Sequence, residues 1–279
     1  MNIDETLAYF RRKERKAGDL LFDAVWKNDR ENIDLLRAEH AFYLPTVNAK
    51  ARIKWGTLLI RELFAYFKVP ENASDPEIPV FFVTLADKSL ITTAEPQAID
   101  IELFKRKLGG RLRGLNYIGM IEPAFYHNAF DIMSQQTPPL VSWHGHFLIW
   151  GIRRKRLSRI IRKLNSKLEA VMPDFAAAHW KQVERGKFGK KICYVAKSPC
   201  KEYSVGKYAE AGKEGEPRYK HNSREIRPGT RVKLFHLMEP LYFDQLTMAG
   251  GDGVEILNRM KFGGLQRYRR RHGWTERRL

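Results

Sequence analysis

Two cysteines in 279 residues are too few for the frameworks that cysteine usually builds. Cys193 and Cys200 lie seven apart with no second pair, so neither a zinc knuckle nor a disulfide lattice is available. That scarcity fits a reducing compartment, and a cytoplasmic protein is expected. Long apolar runs are missing too: no stretch approaches the roughly 18 residues a membrane helix needs. Residues 1–16 are charged and lack an apolar centre, so no secretory signal is visible. There is no internal repeat. There is also no phosphate-cradling G-x-x-x-x-G-K-[ST] loop, because Gly206 to Gly212-Lys213-Glu214 has the wrong spacing and no hydroxyl after the lysine. Acids are the last deficit: 32 Asp and Glu face 50 Lys and Arg, a formal charge of +18. Such a surface raises affinity for nucleic-acid phosphates and speeds encounter with them.

The basic excess is concentrated in two places. Arg153-Arg154-Lys155-Arg156 opens a run in which Leu157, Ile160, Ile161, Leu164 and Leu168 recur at helical spacing. One face can pack on a sheet while Arg153, Arg154, Lys155, Arg159, Arg162 and Lys163 stay in water. Near the end, Arg269, Arg270 and Arg271 stand between Tyr268 and Trp274, a mixture suited to neutralising a backbone and stacking bases of a single strand. Each segment reads equally as a solvated basic helix or a loose basic tail.

The hydrophobic periods divide the chain into three regions. Residues 1–75 read as helical, with apolar spacing over Asp19 to Arg37 and Trp55 to Phe67, then a polar break at Glu71 to Pro76. Residues 76–205 alternate strands and helices: strands at 80–86, 115–122, 142–150 and near 176–184, helices at 98–108, 153–171 and around Tyr194. This predicts an α+β fold, an antiparallel sheet with helices packed on it. Residues 206–279 read as a Gly- and charge-rich loop to Arg231, then a helical stretch from Leu234 to Phe262 interrupted at Gly250-Gly251, then the basic tail.

The aromatic run Trp143-His144-Gly145-His146-Phe147-Leu148-Ile149-Trp150 carries the most chemistry. On a strand, His144 and His146 point to one face about 7 Å apart, able to grip one cation or flank one phosphate. Upstream, Asn116 to Pro123 reads as a strand with Glu122 at its end, closed by the proline. Two imidazoles and a carboxylate suit Mn²⁺ or Mg²⁺ with open coordination positions. Downstream, Lys190 to Lys197 has helical spacing that puts Tyr194 and Lys197 on one face. Taken singly, these residues read as core or surface histidines, a solvated carboxylate, a packing tyrosine and a solvated lysine.

Taken together, a strand Phe82-Val83-Thr84-Leu85, a strand-borne Glu, His-x-His, then Tyr-x-x-Lys resembles the HUH endonuclease superfamily, nearest its rolling-circle replication initiators. The resemblance covers residues 78–205. It departs at Gly145, where the family carries a bulky apolar residue on the opposite face of the strand. The resemblance implies an antiparallel nuclease core and a divalent cation on Glu122, His144 and His146. It also implies Tyr194 as nucleophile, forming a 5′-phosphotyrosine, with Lys197 tuning charge nearby. The implied partners are single-stranded and origin DNA in a prokaryotic host. With no helicase motif in the chain, a host helicase is a further implied partner. Two alternatives remain at this point. One is a single-strand DNA transposase of the same superfamily, whose usual Gln four residues after the tyrosine is Ser198 here. The other is a DNA-binding module without catalysis.

Overall fold

The computed structural model describes residues 1–30, 32–37, 44–128, 139–172, 175–208 and 218–271. Its centre is a pair of 11-residue strands, β3 (Asn116–Tyr126) and β4 (Leu140–Trp150), both almost wholly buried. These segments are β-branched and aromatic on both faces, which is what a strand covered by helices on two sides requires. The other strands are β1 (Phe81–Leu85), β2 (Ile91–Thr93), β5 (Ala178–Gln182), β6 (Lys201–Tyr208), β7 (Arg218–Glu225) and β8 (Thr247–Gly250). They complete one sheet of order β5-β1-β4-β3-β6-β7. All pairings are antiparallel except the two-residue contact of β3 with β6. The outer edges of the central pair are each shared: β1 and β2 divide β4, while β8 and β6 divide β3. The protein is therefore α+β, as the alternation of periods predicts.

Strand parity sorts the helices into layers. Even-numbered β4 residues look toward α1 (Ile3–Asn28), α3 (Ala49–Tyr66) and α6 (Phe188–Ala196), a short α2 (Asp34–Arg37) lying between the first two in sequence. Trp150 meets the rings of Tyr66 and Phe67 at 5.4 Å, and Phe188 meets Phe64 and Phe67 at 5.5 and 5.3 Å. Odd-numbered residues look toward α4 (Ile101–Arg111) and α5 (Arg154–Asn165): Phe104 meets Trp143, and Arg154 lies over Trp180. Then α7 (Pro228–Met238), α8 (Phe243–Leu246) and α9 (Gly253–Arg271) follow. The larger of two apolar clusters among the described residues runs from Leu7 to Met260 through all three sequence regions.

Several expected elements differ. The strand containing Glu122 continues through Pro123 to Tyr126, so Glu122 is inside β3 and buried. Pro123 falls where neither β8 nor β6 pairs with the outer edge of β3, so its missing N–H loses no ladder bond there. The helix expected over 153–171 stops at Asn165, whose side chain takes both hydrogen bonds of the Ala178 backbone instead. The helix expected at 98–108 begins only at Ile101, where Asp100 caps Leu103 N–H. The stretch read as a loop to Arg231 holds the end of β6, all of β7 and the start of α7, while residues 209–217 lie outside the described ones. Its β7 strand is polar along almost its whole length, so it shows no apolar alternation. The Gly250-Gly251 interruption is the end of β8 and the turn into α9.

Gly145 has a packing reason. A Cβ there would sit 2.3 Å from the Phe147 ring, so that fully buried ring fills the place of the side chain. The bulk the resemblance expects at position 145 is supplied by Phe147 on the same face.

Candidate metal centre and active site

Register builds the site. Glu122 lies directly across from His144, and Met120 from His146, so the three polar side chains leave one face of the β3–β4 pair. Thr84 of β1 lies across from His146 on the other side. One ligand atom from each of Glu122, His144 and His146 lies within 4.8 Å of the other two. That span suits a single cation with bonds of about 2.0–2.2 Å. The Nε2 atoms of His144 and His146 are 3.0 Å apart, and Glu122 Oε2 is 3.4 Å from His146 Nε2.

The rear nitrogens are engaged. His144 Nδ1 is 3.3 Å from the Ser142 carbonyl, a pure acceptor, so Nδ1 carries the proton and Nε2 offers a lone pair. His146 Nδ1 is 3.0 Å from Thr84 Oγ1, which both donates and accepts. With Thr84 donating, His146 Nε2–H can serve His144. With Thr84 accepting, both Nε2 lone pairs are free for a cation. Glu122 Oε2 is buried without a hydrogen-bond partner among the described residues. An orphaned carboxylate oxygen beside two imidazole lone pairs is a donor set for a cation, and the cluster can bind a metal ion.

Electrostatics holds the donors ready. Burial pushes the Glu122 carboxyl up, but Lys197 and the two imidazoles outweigh it and keep it well below the carboxylate range. Burial, with His146 adding to it, lowers His144 to about 3, and burial also lowers His146 against the pull of Glu122. Both imidazoles are therefore neutral at pH 7, the ligating form.

Tyr194 lies on α6, which buries Phe188, Ile192, Cys193, Val195 and Ala196 and leaves Tyr194 40% exposed. Its ring centroid is 5.0 Å from that of His146 and 5.4 Å from that of Phe82. Lys197 is not on the helix: it is the residue after the last turn, in extended conformation. From there its ammonium donates to Glu122 Oε1 and lies 4.6 Å from the Tyr194 ring centroid. An ammonium this close to a phenol favours the phenolate, but here it meets a stronger opposing effect. Burial raises Tyr194 more than Lys197 lowers it, so the phenol stays protonated at neutral pH. The rival Tyr203 stacks on Tyr126, and burial raises it strongly. The Tyr208 side chain lies outside the described residues.

Sequence reasoning missed the supports. Arg52 of α3 is buried and donates to the carbonyls of Ala196, Lys197 and Thr46 at 2.8–3.1 Å. Glu14 of α1, 3.8 Å from Arg52, accepts from the Ser198 backbone N–H and hydroxyl. Ser198, the position of the transposase ligand, is thus turned toward α1. No local signal sets Glu14 and Arg52 apart from the many other charges of residues 1–75. A cleft of about 460 Å³ opens over Glu122, His144, Tyr194 and Lys197.

The basic residues divide. Arg153, Arg154, Lys155, Arg159, Arg162 and Lys163 are exposed on or beside α5, whose Leu157 and Ile161 are buried. That helix covers the sheet face opposite the site. Arg269, Arg270 and Arg271 belong to the last turns of α9, and their side chains lie outside the described residues. No described helix is long and apolar enough to cross a membrane. Compared with protein-family models, curated proteins and solved structures, the chain finds no match.

Proposed function

We propose that this protein is an HUH-type endonuclease of the replication-initiator kind, nicking single-stranded origin DNA by transesterification. The convergence of Glu122, His144 and His146 beneath the exposed Tyr194 carries the reading. The edge-on contact of the Tyr194 phenol with His146 of the donor set supports attack on a phosphate bound at the same site. Tyr194 Oη attacks phosphorus; the new O–P bond forms as the P–O3′ bond breaks. The phenolic proton ends on the leaving 3′-oxygen, which departs as a hydroxyl, and the 5′-phosphate stays on the tyrosine. Because Tyr194 is protonated at rest, proton loss accompanies the attack. Mn²⁺ or Mg²⁺ fits the donor set, and the chemistry it supplies when bound is charge neutralisation at the non-bridging oxygens. Lys197 holds the Glu122 carboxylate ionised and adds positive charge at the reacting phosphate. The +18 charge supports a DNA partner, and a host helicase would open the duplex.

The test uses a labelled single-stranded library with Mn²⁺. A covalent adduct mapped by mass spectrometry to Tyr194 is expected, absent in Tyr194→Phe and absent with chelator, while DNA binding persists in both. An adduct on Tyr203 or Tyr208, or nicking by Tyr194→Phe, would overturn the assignment.

A further inference from the structure

We infer that α1 forms a nucleotide subsite of the same cleft, in which Tyr9 stacks a base of single-stranded DNA and Lys13 meets the adjoining phosphate. The inference rests on the proposed function and extends it to a helix that no sequence signal tied to chemistry. Tyr9 and Lys13, one turn apart, line the cleft together with Tyr194 and Lys197. The Lys13 ammonium lies over the Tyr9 ring, 5.8 Å from its centroid, and Tyr9 is half-buried against the core, so an aromatic ring and a flexible cation stand together in the cleft wall. Aromatic rings that stack bases beside cations that follow the backbone are how proteins hold single strands.

Charge on the helix points the same way. Over residues 11–16, α1 reads Arg-Arg-Lys-Glu-Arg-Lys. Glu14, the one acid within that run, is turned inward to Ser198 and Arg52. Of the five cations, Lys13 lines this cleft, while Arg11, Arg12, Arg15 and Lys16 line a neighbouring groove of the same helix. Within the cleft, Glu14 and Glu122 are committed to buried partners, which leaves Glu225 alone against the exposed Lys13, Lys190 and Lys201. The exposed balance favours a polyanion.

The wall is also held in place. At Gly189 of α6, an added Cβ would be 2.1 Å from Thr6 Oγ1 of α1; at Gly56 of α3 it would be 2.1 Å from the Phe10 ring. Those close approaches, with Glu14 on Ser198, set α1 against the helix that carries Tyr194. A base on Tyr9 and a phosphate at Tyr194 therefore keep a fixed separation, which is what a register-setting subsite needs.

The experiment measures fluorescence anisotropy of a labelled single-stranded oligonucleotide on the full chain, in chelator, with circular dichroism confirming each fold. Tyr9→Leu should bind ~5- to 100-fold more weakly, the loss expected from removing one stacked base, and Tyr9→Phe should bind like the parent. Lys13→Ala should lower the salt slope by about one unit. A 5-iodouracil oligonucleotide should photo-crosslink to Tyr9. Unchanged affinity in Tyr9→Leu and an unchanged slope in Lys13→Ala, or crosslinks confined to other residues, would overturn the subsite. Adduct formation at Tyr194 with no Tyr9 dependence would remove the subsite and keep the nuclease. Tyr9-dependent binding with no adduct in Mn²⁺ would do the reverse.

Discussion

His146 has two neighbours whose roles depend on which nitrogen holds the proton. Thr84 Oγ1 faces Nδ1 and His144 faces Nε2, both at 3.0 Å. Because the hydroxyl can donate or accept, Thr84 serves the metal-free and metal-binding tautomers alike. Thr84→Val keeps the shape and removes that partner. Mn²⁺ affinity should then fall ~10- to 100-fold by isothermal titration calorimetry, the usual loss for a partner behind a ligand. Retained affinity would mean that the ring is oriented by packing alone. His144 and His146 were legible from strand parity, since alternate residues share a face; Glu122 was legible as a strand-borne carboxylate, and its place opposite His144 is a matter of register. Thr84 was legible only as part of a strand. Its position opposite His146 is a matter of register between segments 62 residues apart, and no local pattern encodes that.

At the scale of elements, α6 carries the proposed nucleophile, and its C-terminal end is governed from outside. Unsatisfied carbonyls at a helix end need donors, and Arg52 supplies them for Ala196 and Lys197 while Glu14 takes the Ser198 N–H. Burial raises Glu14 and lowers Arg52, and their attraction opposes both shifts. Arg52→Met strands a buried carboxylate and three carbonyls. A loss of about 3–5 kcal/mol in urea unfolding is expected, with Arg52→Met/Glu14→Gln costing less than the two single changes summed. Strict additivity would show that the two side chains act independently. The helix itself was readable from its period, but its end was not: Lys197 continues the spacing yet lies beyond the last turn. The β6–β7 hairpin shows the opposite failure. Its Val205, Tyr203 and Tyr219 pack in a small second cluster, while residues 222–225 of β7 face water, so neither strand carries enough apolar alternation to stand out from a loop.

For the whole molecule, acid sensitivity has an identifiable contributor away from the site. Glu202 is wholly buried between the hairpin and α7. Burial pushes its carboxyl up, but Thr230, the Arg227 backbone, Arg224 and His127 hydrogen-bond it and lower it to about 2. A carboxyl depressed in the folded state contributes stability that is complete above its ordinary range near 4.5. That stability is lost as pH falls from 4.5 toward 2. Since Arg224 and Arg227 are half exposed, solvent screening limits the contribution to the order of 1–2 kcal/mol. Glu202→Gln should flatten the stability curve over that window in thermal melts taken from pH 5 to 2. A parent curve already flat there would count against this.

Composition, parity and period by themselves determined the basic character, the α+β class and the shared face of His144 and His146. Each depends on residues within a few positions of one another. Tertiary structure alone decided that Glu122 lies inside a buried strand, that Phe147 fills the space at Gly145, and that Lys197 pairs with Glu122. It also decided that the N-terminal helices clamp α6 and wall the cleft. Those outcomes depend on which distant segments share the core, and burial and charge pairing between such segments leave no periodic trace in either one.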